Sequence, residues 1–273
     1  MDKKNTLSLF LRSFLLQGFW NYALMQNVGF FYIVLPQLKR LYGADKAALQ
    51  RAAARNLEAF NSQPVMSGYS IGALLKQEAI IKKTPPARLQ EEEREWRIIR
   101  AASASTAASI GDRLFWATLK PLSLVLYLVI LFAGGVDFLG AHAQDEGQVF
   151  FTAALALTGA LLIYNAPAFV VRLKGLLDGY GGDEDNFYGL INLNWNKIIY
   201  FLKTLGQVLT IFVIFYGIYV HFSSVVIDAG VITRFSLLLA FTVLSIFMKR
   251  LNIPNIFLYI TATLVFALAA ILA

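Results

Sequence analysis

Residues 149–171 read VFFTAALALTGALLIYNAPAFVV, a run without a single charged side chain. At 1.5 Å rise per residue such a run makes a helix of about 34 Å, long enough to cross a hydrocarbon core of about 30 Å. Asn165 and Pro167 are expected to break this run near its inner end, with Arg172 as an interfacial anchor. Comparable apolar runs lie at about 122–141, 198–221, 234–248 and 251–273. Only Lys249, Arg250 and a short Asn252/Pro254 break separate the last two, which predicts a tight turn at the membrane surface. A single kinked helix there would hold about 40 residues, twice what a bilayer needs. The expectation is an all-α integral membrane protein with about five transmembrane helices.

Composition agrees. Of the 273 residues 58% are apolar and 15% charged, with a mean hydropathy of +0.59. Soluble domains carry about a quarter charged residues, so this much apolar surface needs lipid as its solvent. The 22 Phe, 12 Tyr and 4 Trp argue against disorder. There is no Cys and only His142 and His221, which removes disulfides, thiolate chemistry and a His-based metal cluster. No metal and no cofactor is expected.

The net charge of +7 would raise the question of nucleic acid in a soluble protein. Its distribution points elsewhere. Seventeen of the 24 basic residues fall within residues 1–120, and short loops rich in Lys and Arg stay cytoplasmic. The loop near 142–148 has Asp145 and Glu146 but no Lys or Arg; the loop 172–197 has Arg172, Lys174 and Lys197. The expected topology has a cytoplasmic N-terminus, five spans and an outside C-terminus. The charge then serves orientation and attraction to anionic membrane lipids, with no nucleic-acid partner.

Residues 1–120 are organised differently from 121–273, a transmembrane helical region. Lys3 and Lys4 precede an apolar run, but Gln17 and Asn21 interrupt it and no small-residue cleavage site follows. Leu7, Phe10, Leu11, Phe14, Leu15, Gly18, Tyr22 and Met25 share one face at helical spacing, predicting an amphipathic helix on the membrane or on a partner. Asp45 opens a helix over 45–60, and Pro64 suits the first turn of the next, over 64–81. Gly68 and Gly72 in that segment permit close helix approach. Residues 88–100 read as a solvated, charged helix. The small-residue run from Ala101 to Ser109, followed by Ile110-Gly111-Asp112, predicts a re-entrant hairpin.

Several stretches together carry a resemblance: Gln17-Gly18 with Asn21 and Met25-Gln26, FNSQP at 60–64, IGALLKQE at 71–78, IGDRLFWATLKP at 110–121 and YNAP at 164–167. In order and spacing over about residues 8–220, the chain resembles the IID component of the mannose/fructose/sorbose-family sugar phosphotransferase system. Two departures stand out: the family usually has His where Gln63 stands, and a Met-Gly-Pro-containing stretch where Ser103–Ser109 lies. Gln63 keeps a hydrogen bond but cannot titrate near neutral pH.

The resemblance implies a multi-pass permease subunit in a bacterial inner (cytoplasmic) membrane. It would pair with a IIC membrane subunit in a hetero-oligomer that binds a mannose-type hexose, while IIA and IIB proteins carry the phosphoryl groups. With no Cys, and with both His expected toward the outer side, no catalytic residue is expected in this chain. The alternative is a IID-like scaffold or regulatory protein that does not transport.

The candidate sugar-binding residues are Asn61, Gln63, Glu78, Asp112 and Trp116. An ionisable group at membrane depth, as Asp112 would be, is costly enough to imply a function or a partner; a salt bridge to Arg113 or Lys120, or a helix cap, is the alternative. Asn61 and Gln63 suit hydrogen bonds to sugar hydroxyls, though Asn61 could equally be a cap. Glu78 would line the pathway or pair with Lys76 or Lys82. Trp116 would stack on a sugar ring or join an interfacial aromatic belt. Gln17, Asn21, Gln26, Gly68 and Gly72 are the candidate partner interface.

Overall fold

A computed structural model describes residues 3–136 and 145–224, with the isolated positions 236 and 240. The fourth and fifth expected spans lie outside the described residues, as does His142. The chain divides into two compact units, Met1–Phe138 with His142–Val213 in one and Leu139–Ala141 with Ile214–Ala273 in the other. The account below concerns the first, together with the last turns of the helix that leaves it.

Its described elements are helices: α1 (Lys3–Ser13), α2 (Asn27–Tyr42), α3 (Lys46–Asn56), α4 (Ser67–Ile81), α5 (Leu89–Gly111), a π-helical segment (Asp112–Leu119), α6 (Lys120–Ala133), α7 (Glu146–Gly181) and α8 (Trp195–Ser224). Three helices are long and apolar enough to cross a membrane: Pro86–Ala133, Glu146–Gly181 and Trp195–Tyr219. These match the first three expected spans. Phe150, Phe151, Leu161 and Leu162 on α7, and Phe201, Val208 and Ile211 on α8, are exposed, as lipid-facing side chains should be.

Two spanning helices are much longer than a bilayer. The 36 residues of α7 make about 54 Å against a core of about 30 Å. Its charge-free run ends at Val171, so the end bearing Arg172, Lys174 and Asp178 projects beyond the lipid. Helix α4 lies against that projecting end. A Cβ on Gly68 would meet the Arg172 carbonyl oxygen at 2.7 Å, and one on Gly72 the Tyr180 nitrogen at 2.5 Å. The two backbones touch, which only glycine permits. Most of α4 is buried, Tyr69, Ile71, Ala73 and Leu74 among its core residues. The polar half of α5 closes the other side.

Four expectations change. The amphipathic helix stops at Ser13, whose hydroxyl folds back on the Phe10 carbonyl at 2.6 Å. Turns follow, and Met25 takes φ 59°. Leu7, Leu11, Phe14 and Leu15 remain exposed, so the apolar face exists but is shorter than the spacing suggested. The hairpin expected at 101–116 does not form. Residues 89–133 run as one continuous helix with a π segment, because alanine is the best helix former and the small side chains serve to admit a neighbouring loop. Helix α3 ends at Asn56 and not at residue 60. Nor does Pro167 break the second span: it sits inside α7, where losing one hydrogen bond of a long ladder is tolerated.

Candidate functional site

The FNSQP stretch forms an extended loop between α3 and α4, clamped from two sides. From the start of α2, the Gln26 side chain donates to the Ser62 carbonyl at 2.9 Å, and its Oε1 accepts the Ser62 N–H at 3.0 Å. Across the loop, Ser62 Oγ donates to the Ala104 carbonyl of α5 at 3.0 Å. Gln63, 2% exposed, turns its Oε1 to the N–H groups of Val65 and Met66 at 2.8 and 3.0 Å. It thereby satisfies donors ahead of α4 that would otherwise be orphaned.

The loop abuts α5 at Gly111. A Cβ there would meet Gln63 Cβ at 2.6 Å and Cγ at 2.7 Å. Asn61 is exposed and lines a cleft of about 440 Å³ with Arg97, Ser105 and Ala108. Asp112 follows Gly111 and begins the π segment; Asp112 and Trp116 are both exposed. Within that segment Thr118 Oγ1 donates to the Arg113 carbonyl at 2.7 Å. Gln63 thus packs on the residue before Asp112, in a helix whose later part is long and apolar enough to cross a membrane.

Glu78 lies apart from them. It is 0% exposed, and both its oxygens are taken by protein donors. Arg55 Nε and NH2 donate at 3.0 and 2.7 Å, Asn56 Nδ2 at 2.7 Å and the Tyr42 hydroxyl at 2.9 Å. Burial, and after it the neighbouring carboxylate, push the Tyr42 hydroxyl far above its ordinary range, so it stays protonated and donates. Burial alone would lower the Arg55 guanidinium, yet the hydrogen bonds and charge of Glu78, with Glu93 behind, hold it above its usual value. The pairing expected with Lys76 or Lys82 gives way to Arg55. Lys76 instead donates to the Gly182 carbonyl.

The partner-interface residues divide. Gln17 is exposed and Asn21 half-buried. Gln26, 2% exposed, is spent on the loop, while Gly68 and Gly72 are spent on α7, so these three cannot face another subunit. Around Gln17 stand Phe19, Trp20, Tyr22 and Leu24, all exposed. Two buried cations escaped the sequence reading. Arg172, taken as an interfacial anchor, is 6% exposed and donates to the Ser13 carbonyl at 2.7 Å. It closes the C-terminus of α1. Arg100, taken as part of a solvated face, is 4% exposed. The signal available for both was a cation with apolar or small residues on either side, Ile99 and Ala101 for Arg100 and Val171 and Leu173 for Arg172.

Known proteins share this arrangement of sequence and fold. Residues 1–144 match the family described as the PTS system mannose/fructose/sorbose family IID component. The mannose-specific EIID component of Escherichia coli K12 is 32% identical over 188 residues, covering 67% of this chain and 59% of that protein. The fructose permease IID component of Bacillus subtilis is 27% identical over 138 residues, covering 50% of this chain and 48% of that one. This chain therefore spans about 59% of the length of the first of these relatives. Among solved structures, a chain of the mannose transporter ManYZ in complex with microcin E492 matches with a TM-score of 0.50 at 19% identity, over 99% of this chain and 96% of that one. A second, described as a membrane protein, reaches 0.59 at 23% identity, over 77% and 68%. With more than half its length matched by the family model, this membrane-embedded chain belongs to the IID components of the mannose/fructose/sorbose-family phosphotransferase systems.

Proposed function

We propose that the chain is a permease subunit that pairs with a IIC subunit in a bacterial inner membrane. Together they would bind a mannose-type hexose and admit it for phosphorylation by IIA and IIB proteins. The observation carrying this reading is the convergence of Gln63 on Gly111, beside Asp112. A polar loop packs on the residue that precedes an ionisable side chain, where a helix passes from its polar to its apolar half. Asn61, Gln63, Asp112 and Trp116 are the sugar-binding set. Glu78 is left out, since its carboxylate has three protein donors already.

On this reading residues 1–120 form the cytoplasm-side region and 121–273 the transmembrane region, with the N-terminus inside and the C-terminus outside. The IIC subunit would rest on Gln17, Asn21 and the exposed aromatic residues between them. Phosphoryl transfer belongs to the other subunits. The test is co-purification with the candidate IIC subunit, followed by binding of a panel of hexoses. The expected result is a stable complex that binds sugar while neither subunit does so alone. A stable complex that binds no hexose would favour a non-transporting scaffold.

A further inference from the structure

One buried cation is spent on the loop that carries the proposed sugar-binding residues. Arg100 on α5 donates from Nε to the Ala59 carbonyl at 3.2 Å and from NH2 to the Glu58 carbonyl at 2.5 Å. Its Cζ lies 4.6 Å from the ring centroid of Phe30, 5.2 Å from Phe60 and 5.1 Å from Trp96. Burying a guanidinium is costly unless hydrogen bonds and ring faces replace its water. Here the partners of Nε and NH2 and the ring faces come from α2, α5 and the loop itself, while NH1 has no hydrogen-bond partner among the described residues, so the loop in its present path is part of what keeps the cation stable.

We infer that Arg100 is a positioning residue. It fixes the 58–63 loop against α5, so that Asn61 and Gln63 stand beside Asp112 in register with the spanning helix. The inference rests on the sugar-binding role proposed above. Two carbonyls of consecutive residues accept from one planar fork, which sets both the height and the twist of the chain entering Asn61. Lysine offers a point charge on a flexible stem and cannot hold both carbonyls while stacking on three rings. Because α5, the π segment and α6 are continuous, a shift of the spanning helix would carry the loop with it.

The experiment compares Arg100→Lys with wild type, using the full chain in complex with its IIC subunit, and takes Arg94→Gln as an exposed control on the same helix. Two quantities are read: amide hydrogen exchange across residues 58–81, and the hexose concentration that half-saturates uptake. In Arg100→Lys, exchange over 58–63 is expected to rise at least tenfold while that of α4 stays at the wild-type rate. Half-saturation is expected to rise about tenfold at an unchanged maximal rate. Arg94→Gln leaves both unchanged. Wild-type exchange over 58–63 in Arg100→Lys would overturn the inference. So would equal loss of protection over 58–81, which would make Arg100 a strut for the whole fold. If the wild-type complex takes up no hexose, the proposed function fails, while the exchange data still decide whether Arg100 holds the loop.

Discussion

Arg55 and Glu78 form a two-bonded ion pair, 3.0 and 2.7 Å, with side chains 3% and 0% exposed. The pair joins the C-terminal end of α3 to α4, and Arg55 NH1 reaches on to Glu93 of α5 at 2.7 Å. Three consecutive helices are thereby tied at one buried point. Removing one partner of a buried pair costs about 3–5 kcal/mol, since it strands the other charge. Glu78→Gln should therefore lower the thermal midpoint of the detergent-solubilised chain markedly, and the double replacement Arg55→Met with Glu78→Leu should recover part of the loss. Equal loss in the single and double variants would mean that the charges are not coupled. Sugar affinity of whatever Glu78→Gln complex folds should match wild type, because Glu78 lies away from the proposed binding set.

The contact between α4 and α7 gives a second prediction. A Cβ at Gly72 would sit 2.5 Å from the Tyr180 backbone nitrogen and 2.6 Å from the Leu176 carbonyl oxygen. These are main-chain atoms, so the two helices must part to admit it. Gly72→Ala should lose about 1–3 kcal/mol, the usual cost of overpacking. Gly181→Ala, with nothing within 4 Å, should be neutral or slightly stabilising, because alanine loses less chain entropy on folding. The melting midpoint of Gly72→Ala should fall, while that of Gly181→Ala should stay in place or rise slightly.

The same two helices show what could be read in the sequence and what could not. The first three spans were legible from uninterrupted apolar length, because lipid demands it. Asp45 as a helix cap was legible from its position, and its carboxylate accepts the Ala48 N–H at 2.9 Å. The small-xxx-small spacing of Gly68 and Gly72 revealed a close helix contact, but spacing cannot say whether the opposing helix belongs to the same chain. Glu78 was noticed as a charge after an apolar run, yet its partner Arg55 lies 23 residues earlier. Only the fold brings them together. The run 101–109 misled because small residues suit both a tight turn and a helix whose neighbour lies close.

Gly111 supplies a third prediction. Its missing side chain leaves room for Gln63 and Met66: a Cβ there would fall 2.6 Å from Gln63 Cβ and 2.8 Å from Met66 Cγ. Met66 Cγ can move aside, but Gln63 Cβ is carried by its backbone, so Gly111→Ala should fold only with the 61–63 loop pushed away from α5. Gln63 would then give up part of its contact with the Val65 and Met66 N–H groups. Weaker hexose binding by about tenfold, together with a stability loss of about 1–3 kcal/mol from overpacking, is the expected outcome. Unchanged affinity would remove Gln63 from the proposed binding set.

Asp112 is the ionisable residue of that set, and its neighbours determine what its replacement should do. It is exposed at the start of the π segment, with Arg113 and Trp116 exposed nearby. Among the described residues no ion pair within 4 Å involves it. A carboxylate that holds no helix together can be changed to its isosteric amide at little cost to folding. Asp112→Asn should therefore insert and assemble with the IIC subunit as wild type does. If the carboxylate accepts charge-assisted hydrogen bonds from sugar hydroxyls, the amide should lower hexose uptake by about a hundredfold, on the order of 3 kcal/mol. Gln63→Ala should likewise reduce uptake, with a measurable loss of stability from its missing cap. Uptake at the wild-type rate in both variants, from complexes present in normal amount, would place the sugar path elsewhere.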